Sequence, residues 1–309
     1  MDKILPKVSI MIPTYNQAEY IGEAIESALA QDYPNLEVVV SDDCSTDNTP
    51  SIAKKYISDP RFVYHRNETN LGRVGNYNNT AHNVVSGDWV VNLDGDDYYE
   101  SRHFVNDAIT SLLKVQEYYP EKDIVAYCYR HPLLEKISKI ITAEKIDENS
   151  LLVSGKDYFL SYDKVGSFGH PNTLYRRDIG LKIGMYLIPY QACDFHSIIR
   201  IILTGDIILD RRKIACWRVH GENATIRQSE DKQRQAMLTF DAIEEFAKQY
   251  CSTDELMAWR HRMNKSSYSD YVSTYVGCHR NIKSFKLLLQ NPEWNYGYFR
   301  LWFKLLFNR

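Results

Sequence analysis

The chain has 309 residues, of which 44% are hydrophobic, and its 37 basic residues nearly balance its 40 acidic ones. This length is sufficient for a buried core in one large domain or two small ones. The balanced charge excludes a protein that coats nucleic acid through a global basic field. Six cysteines without a CxxC pair argue against a zinc ribbon and a disulfide scaffold. We therefore expect reduced thiols. Pro13 ends the first apolar run before it reaches the length of a signal peptide, so we also expect a cytoplasmic chain without one.

The first 130 residues alternate short apolar runs with amphipathic stretches, the pattern of a mostly parallel α/β sheet covered by helices. Strands are predicted at 8–12, 36–40, 62–65, 89–93 and 123–129. Helices are predicted at about 21–29, 50–57, 77–85 and 102–119. Asn16, with Glu19 three positions later, is the predicted N-cap of the first helix. The periodicity between 137 and 154 assigns no element.

The second half of the chain changes character near residue 221. Before it, a helix at 194–203 and strands at 207–209 and 214–219 are predicted. After it, helical patterns dominate at 231–250, 253–276 and 282–290. We therefore predict an α/β domain over 1–225 and a helical C-terminal extension over 226–309.

Polar residues follow three of the predicted strands, at Thr14 to Asn16, Asp42-Asp43 and Asp94 to Asp97. Ligands of a parallel α/β sheet bind outside the carboxyl ends of its strands, so these groups are expected at one crevice. The five acidic side chains would repel one another without a divalent cation or a hydrogen-bonding ligand. Oxygen ligands suit Mg²⁺ or Mn²⁺, which complete their shell with phosphate and water, so a nucleotide diphosphate is the expected partner.

Several segments, taken in order, resemble the motifs of family 2 glycosyltransferases with the GT-A fold. They are Pro13-Thr14-Tyr15-Asn16, the helix with Ile25 to Gln31, Val40 to Asp47, Asn70-Leu71-Gly72, Leu93 to Asp97, Cys193-Asp194 and Trp217 to Thr225. The resemblance implies a Rossmann-like, mostly parallel sheet flanked by helices. It also implies inverting transfer of a sugar from a nucleotide-sugar donor, a UDP-sugar first, to an acceptor hydroxyl in cell-surface polysaccharide biosynthesis.

The same resemblance implies a role for each candidate residue. The nucleotide-binding residues would be Pro13, Tyr15, Asp43, Asn70, Arg73 and Asp94, with Tyr15 stacked on the base and Asp43 accepting a hydrogen bond from it. Asp96, His220 and Asp97 would be the ligands of Mn²⁺ or Mg²⁺. Asp194 would be the general base that takes the acceptor proton, while the metal neutralises the departing diphosphate. On the acceptor side, the resemblance implies His170, Asn172 and Cys193.

The chain departs from the family pattern at two positions. Cys193 stands where many members carry the first acid of the base motif. Tyr77-Asn78 stands where many carry Arg-Asn, so Arg73 is the candidate for the diphosphate contact.

Simpler readings of single residues remain open at this point. Asp42 would also serve as a turn residue, and Asp194 as a helix cap. The alternative functions are a non-catalytic nucleotide-sugar-binding scaffold and a nucleotidyltransferase, which would release pyrophosphate instead of a nucleoside diphosphate.

The C-terminal end combines aromatic and basic residues. Seven aromatic side chains lie within 294–309, and residues 281–309 hold five basic residues against one acidic residue. A basic, aromatic amphipathic helix is typical of an interfacial anchor on anionic lipid. We therefore predict peripheral contact of 294–309 with the inner face of the cell membrane and a glycan or lipid-linked glycan acceptor. Docking of this helix on its own domain is the alternative.

Overall fold

The computed structural model describes residues 5–166, 168–188, 192–220 and 230–278, and positions 286 and 289. The chain divides into two compact units, Met1–Ile226 and Arg227–Arg309. That each unit is a separate domain stays a prediction. The predicted membrane-contacting residues 294–309 lie outside the described residues.

The first unit is organised around a nine-stranded sheet. Its strands, with a separate two-stranded ribbon, are β1 (Val8–Thr14), β2 (Leu36–Asp42), β3 (Phe62–Arg66), β4 (Trp89–Asn92), β5 (Tyr98–Tyr99), β6 (Ile124–Cys128), β7 (Ala143–Lys145), β8 (Ser150–Ser154), β9 (Thr173–Arg176), β10 (Asp206–Asp210) and β11 (Ala215–Cys216). The large sheet has the order β3-β2-β1-β4-β9-β6-β10-β8-β7, and β11 pairs with β5. Neighbours in β3-β2-β1-β4 are parallel, whereas the remaining pairs are antiparallel except β6 with β10.

The helices of the first unit cover this sheet. They are α1 (Ile21–Leu29), α2 (Thr49–Ala53), α3 (Gly72–Asn79), α4 (Phe104–Tyr118), α5 (Leu134–Ile137), α6 (Gly155–Leu160), α7 (Tyr162–Val165), α8 (Arg177–Lys182) and α9 (Cys193–Leu203). α1 buries Ile21, Ala24, Ile25 and Ala28, the i, i+3, i+4, i+7 stripe of an amphipathic helix. Every residue of β1 and β2 is buried, as expected for strands covered on both faces. The predicted α/β sheet flanked by helices is thereby confirmed.

The second unit is helical over its described residues. It contains α10 (Glu230–Ala247) and α11 (Thr253–Cys278), which confirms the helical character predicted for the C-terminal part. None of the helices in the described ranges combines the length and the apolar character that a membrane span requires.

The prediction that Asn16 caps α1 is wrong. Asn16 has a left-handed backbone with φ of 51°, a conformation that Asn tolerates better than most residues. Its Oδ1 accepts the backbone N–H of Thr46 over 2.8 Å, and its own N–H donates to Ser45 Oγ over 2.9 Å. α1 begins only at Ile21. Asn16 therefore joins the loop after β1 to the loop after β2.

The predicted helix at 77–85 is displaced toward the N-terminus. α3 spans Gly72–Asn79 and continues as a π-helical turn over Thr80–Val84. Its start is fixed from outside, because Asp43 Oδ1 accepts the N–H of Leu71 over 2.8 Å. The glycines and asparagines of this helix have low helix propensity, which hides it from the sequence pattern.

The predicted strand at 214–219 is mostly not a strand. Only Ala215–Cys216 pairs, and it pairs with Tyr98–Tyr99 instead of joining the large sheet. The residues after it are consequently free of ladder hydrogen bonds and pass over the carboxyl ends of the strands. The unassigned region 137–154 contains the antiparallel edge strands β7 and β8.

Candidate active site

A cavity of about 400 Å³ opens at the carboxyl ends of β1, β2 and β4, within the usual size range of small-molecule sites. This is the edge of the sheet at which the sequence predicts a crevice. All the residues predicted to bind the nucleotide line it: Pro13, Tyr15, Asp43, Asn70, Arg73 and Asp94. Asp96 and His220 line it as well.

Two neighbouring side chains after β1 and β2 suit a planar base. The ring of Tyr15 is 47% exposed and lies in the wall of the cavity. Asp43 is buried, and its Oδ1 accepts hydrogen bonds from Asn67 Nδ2 at 2.9 Å and from the Leu71 N–H at 2.8 Å. These bonds fix the orientation of a carboxylate that lines the cavity.

Asp42, directly before Asp43, is used differently. Its Oδ1 accepts the N–H of Ser45 over 2.8 Å, and its Oδ2 accepts the hydroxyl of Tyr64 over 2.7 Å. Asp42 is fully buried and does not line the cavity. The structure therefore favours the turn-forming interpretation of Asp42.

Asp94 connects the cavity to a buried polar network. Its Oδ1 accepts the hydroxyl of Tyr77 over 2.6 Å and the amide of Asn92 over 2.9 Å. The Asn92 amide also lies 3.1 Å from His170 Nδ1. Burial raises the pKa of Tyr77 well above its ordinary value, and Asp94 adds to the rise, so Tyr77 stays a hydrogen-bond donor. The guanidinium of Arg73 lies 5.7 Å from the centre of the Tyr77 ring.

Asp96 and His220 come together across 124 positions of sequence. Asp96 Oδ2 lies 2.9 Å from His220 Nε2, and the two side chains are 14% and 19% exposed. No cluster of three or more His, Cys, Asp or Glu that could hold a metal occurs among the described residues. A pair of protein ligands nevertheless fits Mg²⁺ or Mn²⁺, because such ions commonly use one or two carboxylates and take their other oxygens from phosphate and water.

Asp97 is turned away from the cavity. It is 2% exposed, and its Oδ1 accepts the N–H of Arg218 over 2.9 Å. Burial raises the pKa of Asp97 to about 7; the Arg218 N–H opposes this rise, and the charges of Asp94 and Asp96 add to it. Asp97 therefore binds the backbone of the segment that carries His220 and does not face the cavity.

Asp194 lies in the first turn of α9 and is half-buried. Burial lowers the pKa of Arg73, but its electrostatic interactions with Tyr77, Cys193, Asp94 and Asp194 more than offset this effect and leave the pKa raised. Asp194 is thus within electrostatic reach of a residue in the wall of the cavity.

The three residues predicted on the acceptor side are buried. Cys193 is 0% exposed, and His170 and Asn172 are each 5% exposed. Burial raises the pKa of the Cys193 thiol to about 12, so this thiol stays neutral. His170 Nε2 lies 3.2 Å from the hydroxyl of Tyr186. Their placement favours support of the neighbouring site residues over direct contact with an acceptor.

The sequence gives no indication that Gln17, Tyr20 and Asn76 line the cavity. Other lining residues belong to segments that the sequence analysis quotes without assigning them a role in binding: Thr14, Asn16, Gly72, Tyr77 and Trp217. Arg73, Asn76 and Tyr77 have i, i+3, i+4 spacing on α3, a signal that a correct helix boundary would have revealed. The position of Tyr20 has no comparable local signal.

Comparison with protein families identifies one match. The model of the family described as "Glycosyl transferase family 2" matches residues 9–180, which is more than half of the chain.

Relatives with known names share shorter segments. Poly(ribitol-phosphate) beta-N-acetylglucosaminyltransferase TarS of Staphylococcus aureus is 43% identical over 94 residues, 30% of this chain and 16% of TarS. GalNAc(5)-diNAcBac-PP-undecaprenol beta-1,3-glucosyltransferase of Campylobacter jejuni is 32% identical over 163 residues, 51% of this chain and 48% of the relative. UDP-Glc:alpha-D-GlcNAc-diphosphoundecaprenol beta-1,3-glucosyltransferase WfaP of Escherichia coli is 34% identical over 129 residues, 42% of this chain and 47% of the relative. The chain therefore spans less than half the length of these relatives.

Solved structures share the fold. Residues 1–349 of S. aureus TarS in complex with UDP match with a TM-score of 0.58 and 21% identity, over 86% of this chain and 72% of that one. The mannosyltransferase PcManGT of Pyrobaculum calidifontis, in complex with GDP-Man and Mn²⁺, matches with a TM-score of 0.52 and 16% identity, over 95% and 81% of the two chains. These similarities confirm the predicted GT-A type of fold.

Proposed function

Because the chain belongs to glycosyl transferase family 2, we propose that it transfers a sugar from a nucleotide-diphosphate sugar to an acceptor hydroxyl with inversion. One observation carries the proposal. A single cavity brings together the exposed ring of Tyr15, the oriented carboxylate of Asp43, the guanidinium of Arg73 and the Asp96–His220 pair. Each of these groups suits one part of such a donor.

The donor proposed is a UDP-sugar. Tyr15 offers a face on which the base stacks, and Asp43 accepts a hydrogen bond from it. Arg73 lines the same cavity, and the surrounding groups favour its charged form, which supports it as the contact of the diphosphate. The S. aureus TarS structures that share this fold hold UDP in one case and UDP-GlcNAc in another, which supports the choice.

Asp194 is the proposed general base. An inverting transfer needs a carboxylate opposite the leaving group, which takes the acceptor proton as the new glycosidic bond forms and the bond to the diphosphate breaks. Asp194 is half-buried and lies within electrostatic reach of Arg73, which we place on the diphosphate. Mn²⁺ or Mg²⁺ held by Asp96 and His220 would supply the positive charge that neutralises the leaving diphosphate.

The acceptor proposed is a lipid-linked glycan of cell-surface polysaccharide biosynthesis. The names of the C. jejuni and E. coli relatives describe glucosyltransferases that act on undecaprenol-linked glycans. We further propose that the protein works at the inner face of the membrane, with residues 294–309 as its contact.

A donor screen tests the proposed reaction. The chain is incubated with a panel of nucleotide-sugars in Mn²⁺, in Mg²⁺ and in EDTA, and the released nucleotide is measured by chromatography. We expect release of UDP that EDTA abolishes. A parallel reaction supplies a nucleoside triphosphate and a sugar 1-phosphate in place of the nucleotide-sugar. Release of pyrophosphate there would support the nucleotidyltransferase alternative instead. Binding of UDP-sugars without any turnover would support the scaffold alternative.

A pair of carboxylate variants tests the proposed metal. Asp96→Asn should raise the Mn²⁺ concentration needed for half-maximal turnover, because it weakens one of two protein ligands. Asp123→Asn changes a carboxylate that is 63% exposed and pairs with Arg176, and we expect no change. An unaltered Mn²⁺ dependence in Asp96→Asn would exclude Asp96 as a ligand.

A further inference from the structure

Arg218 makes two hydrogen bonds that link the segment carrying His220 to the turn carrying Asp96. The backbone N–H of Arg218 donates to Asp97 Oδ1 over 2.9 Å. Its Nε donates to the backbone carbonyl of Asp96 over 3.0 Å. Both bonds end on the turn after β4, so one residue links the two halves of the Asp96–His220 pair.

The guanidinium of Arg218 also contacts two aromatic rings and one carboxylate. It lies 5.1 Å from the centre of the Tyr20 ring and 5.2 Å from the centre of the Tyr98 ring, both distances at which a cation is attracted to a ring face. Its Nη2 donates to a carboxylate oxygen of Glu23 on α1. The side chain therefore connects the His220 segment to α1 and to β5.

Tyr20 extends this arrangement to His220 itself. The Tyr20 ring stacks on the imidazole with ring centres 4.9 Å apart and an angle of 22° between the planes. The carboxylate of Asp96 contacts the edge of the same imidazole, 2.9 Å from His220 Nε2. A ring on its face and a carboxylate at its edge together define how the imidazole is turned.

We propose that Arg218 is a positioning residue that sets the orientation of His220 beside Asp96, with Tyr20 and Glu23 as its partners. Arg218 is not among the described residues that line the cavity, so it acts through its neighbours. In metal sites, loss of the partners that orient a ligand typically reduces metal affinity or activity about 10- to 100-fold. The effect on metal affinity rests on the proposed function, whereas the orientation of the imidazole does not.

The first test measures binding of Mn²⁺ to the full chain by calorimetry in the presence of UDP. We expect Arg218→Leu to weaken Mn²⁺ binding about 10-fold. Glu23→Gln, a change at an exposed carboxylate that leaves the segment itself intact, should weaken it in the same direction by less. Arg176→Leu is the matched control, because Arg176 is also 29% exposed and paired with carboxylates; we expect no change. Equal affinities in Arg218→Leu and Arg176→Leu would overturn the proposal.

A double-mutant cycle separates positioning from general destabilisation. If Arg218 acts through His220, then Arg218→Leu adds little to the loss of Mn²⁺ affinity already caused by His220→Ala. Fully additive losses would overturn the proposal.

A metal-free measurement separates this proposal from the proposed function. If His220→Ala leaves Mn²⁺ affinity unchanged, the metal role of His220 fails, and orientation is then tested by the rate at which diethyl pyrocarbonate modifies His220, followed by mass spectrometry. We expect faster modification in Arg218→Leu than in the wild type and no change in Arg176→Leu. Identical rates in all three would refute the positioning role.

Discussion

The two halves of the large sheet contribute to the candidate site in different ways. The parallel half, β3-β2-β1-β4, presents Tyr15, Asp43, Asp94 and Asp96 on loops that directly follow its strands. The mixed half, from β9 to β7, contributes mainly buried groups such as His170 on the turn before β9. The comparison shows that the candidate nucleotide-binding residues line the cavity, whereas the mixed half contributes buried groups that pack beneath it.

The interior of the mixed half is rich in paired polar groups. Asp210 at the end of β10 is fully buried, pairs with Arg212 over 2.6 Å and accepts the hydroxyl of Tyr127 over 2.7 Å. Such pairs are costly to break, because the remaining partner is left buried and uncompensated. The Tyr127–Asp210 hydrogen bond joins β6 to β10, and α9, whose first turn holds Asp194, packs against both strands.

The largest expected effect is on turnover, at Asp194, the proposed general base. Asp194→Asn should reduce turnover about 10²- to 10⁴-fold, since the amide cannot accept the acceptor proton. Calorimetric binding of UDP should stay near the wild-type value, because Asp194 does not line the cavity. Asp178→Asn is the matched control, as Asp178 occupies the first turn of α8. Wild-type turnover in Asp194→Asn would remove Asp194 from the mechanism.

On the nucleotide side, the expected effect is on binding. Tyr15→Ala should weaken UDP binding by about 1–3 kcal/mol, the usual contribution of an aromatic ring stacked on a base. Tyr15→Phe keeps the ring and should bind UDP as the wild type does. Calorimetry distinguishes the two variants; equal losses in both would point to the hydroxyl instead of the ring face.

The adjacent carboxylates Asp42 and Asp43, at the end of β2, allow a test of which one contributes to binding and which one to stability. Asp43→Asn should weaken UDP binding about 10-fold, the order expected for loss of a hydrogen bond to a charged acceptor. Asp42→Asn should lower the melting temperature and leave UDP affinity unchanged, because its oxygens bond only to the protein. If Asp42→Asn lost UDP affinity and Asp43→Asn did not, the assignment of the two residues would be reversed.

The mixed half should also give the protein an acid-sensitive stability. Burial lowers the pKa of His131 to about 4, so the native state keeps this ring neutral. As the pH falls below about 6.5, His131 binds a proton in the unfolded chain but stays neutral in the native state. The free energy of unfolding therefore decreases. From this residue we expect a loss of about 2 kcal/mol between pH 7 and pH 5.

Urea unfolding at the two pH values measures this loss. His131→Phe keeps an aromatic ring against Tyr158, 5.8 Å away between ring centres, and should reduce the pH dependence by the same amount. An unchanged dependence would show that His131 does not carry it.

Much of the parallel half could be predicted from the sequence. Its strands are short apolar runs, and polar residues follow each one directly, so local pattern is sufficient. β9 was missed because it enters the sheet between β4 and β6, two strands that lie far from it in sequence. The early start of α3 was missed because Asp43, 28 positions before Leu71, fixes the first turn of that helix.

The sequence by itself determined the fold class, the family and the set of residues at the three strand ends, because parallel strands direct their carboxyl ends to one edge. Only the tertiary structure decided which of the neighbouring carboxylates line the cavity and which bond only within the protein. Asp43 and Asp96 reach the cavity, whereas Asp42 and Asp97 are enclosed and bond to the protein. The physical reason is that desolvation, hydrogen bonding and the direction of each side chain depend on residues brought in from elsewhere, such as Tyr64 and Arg218.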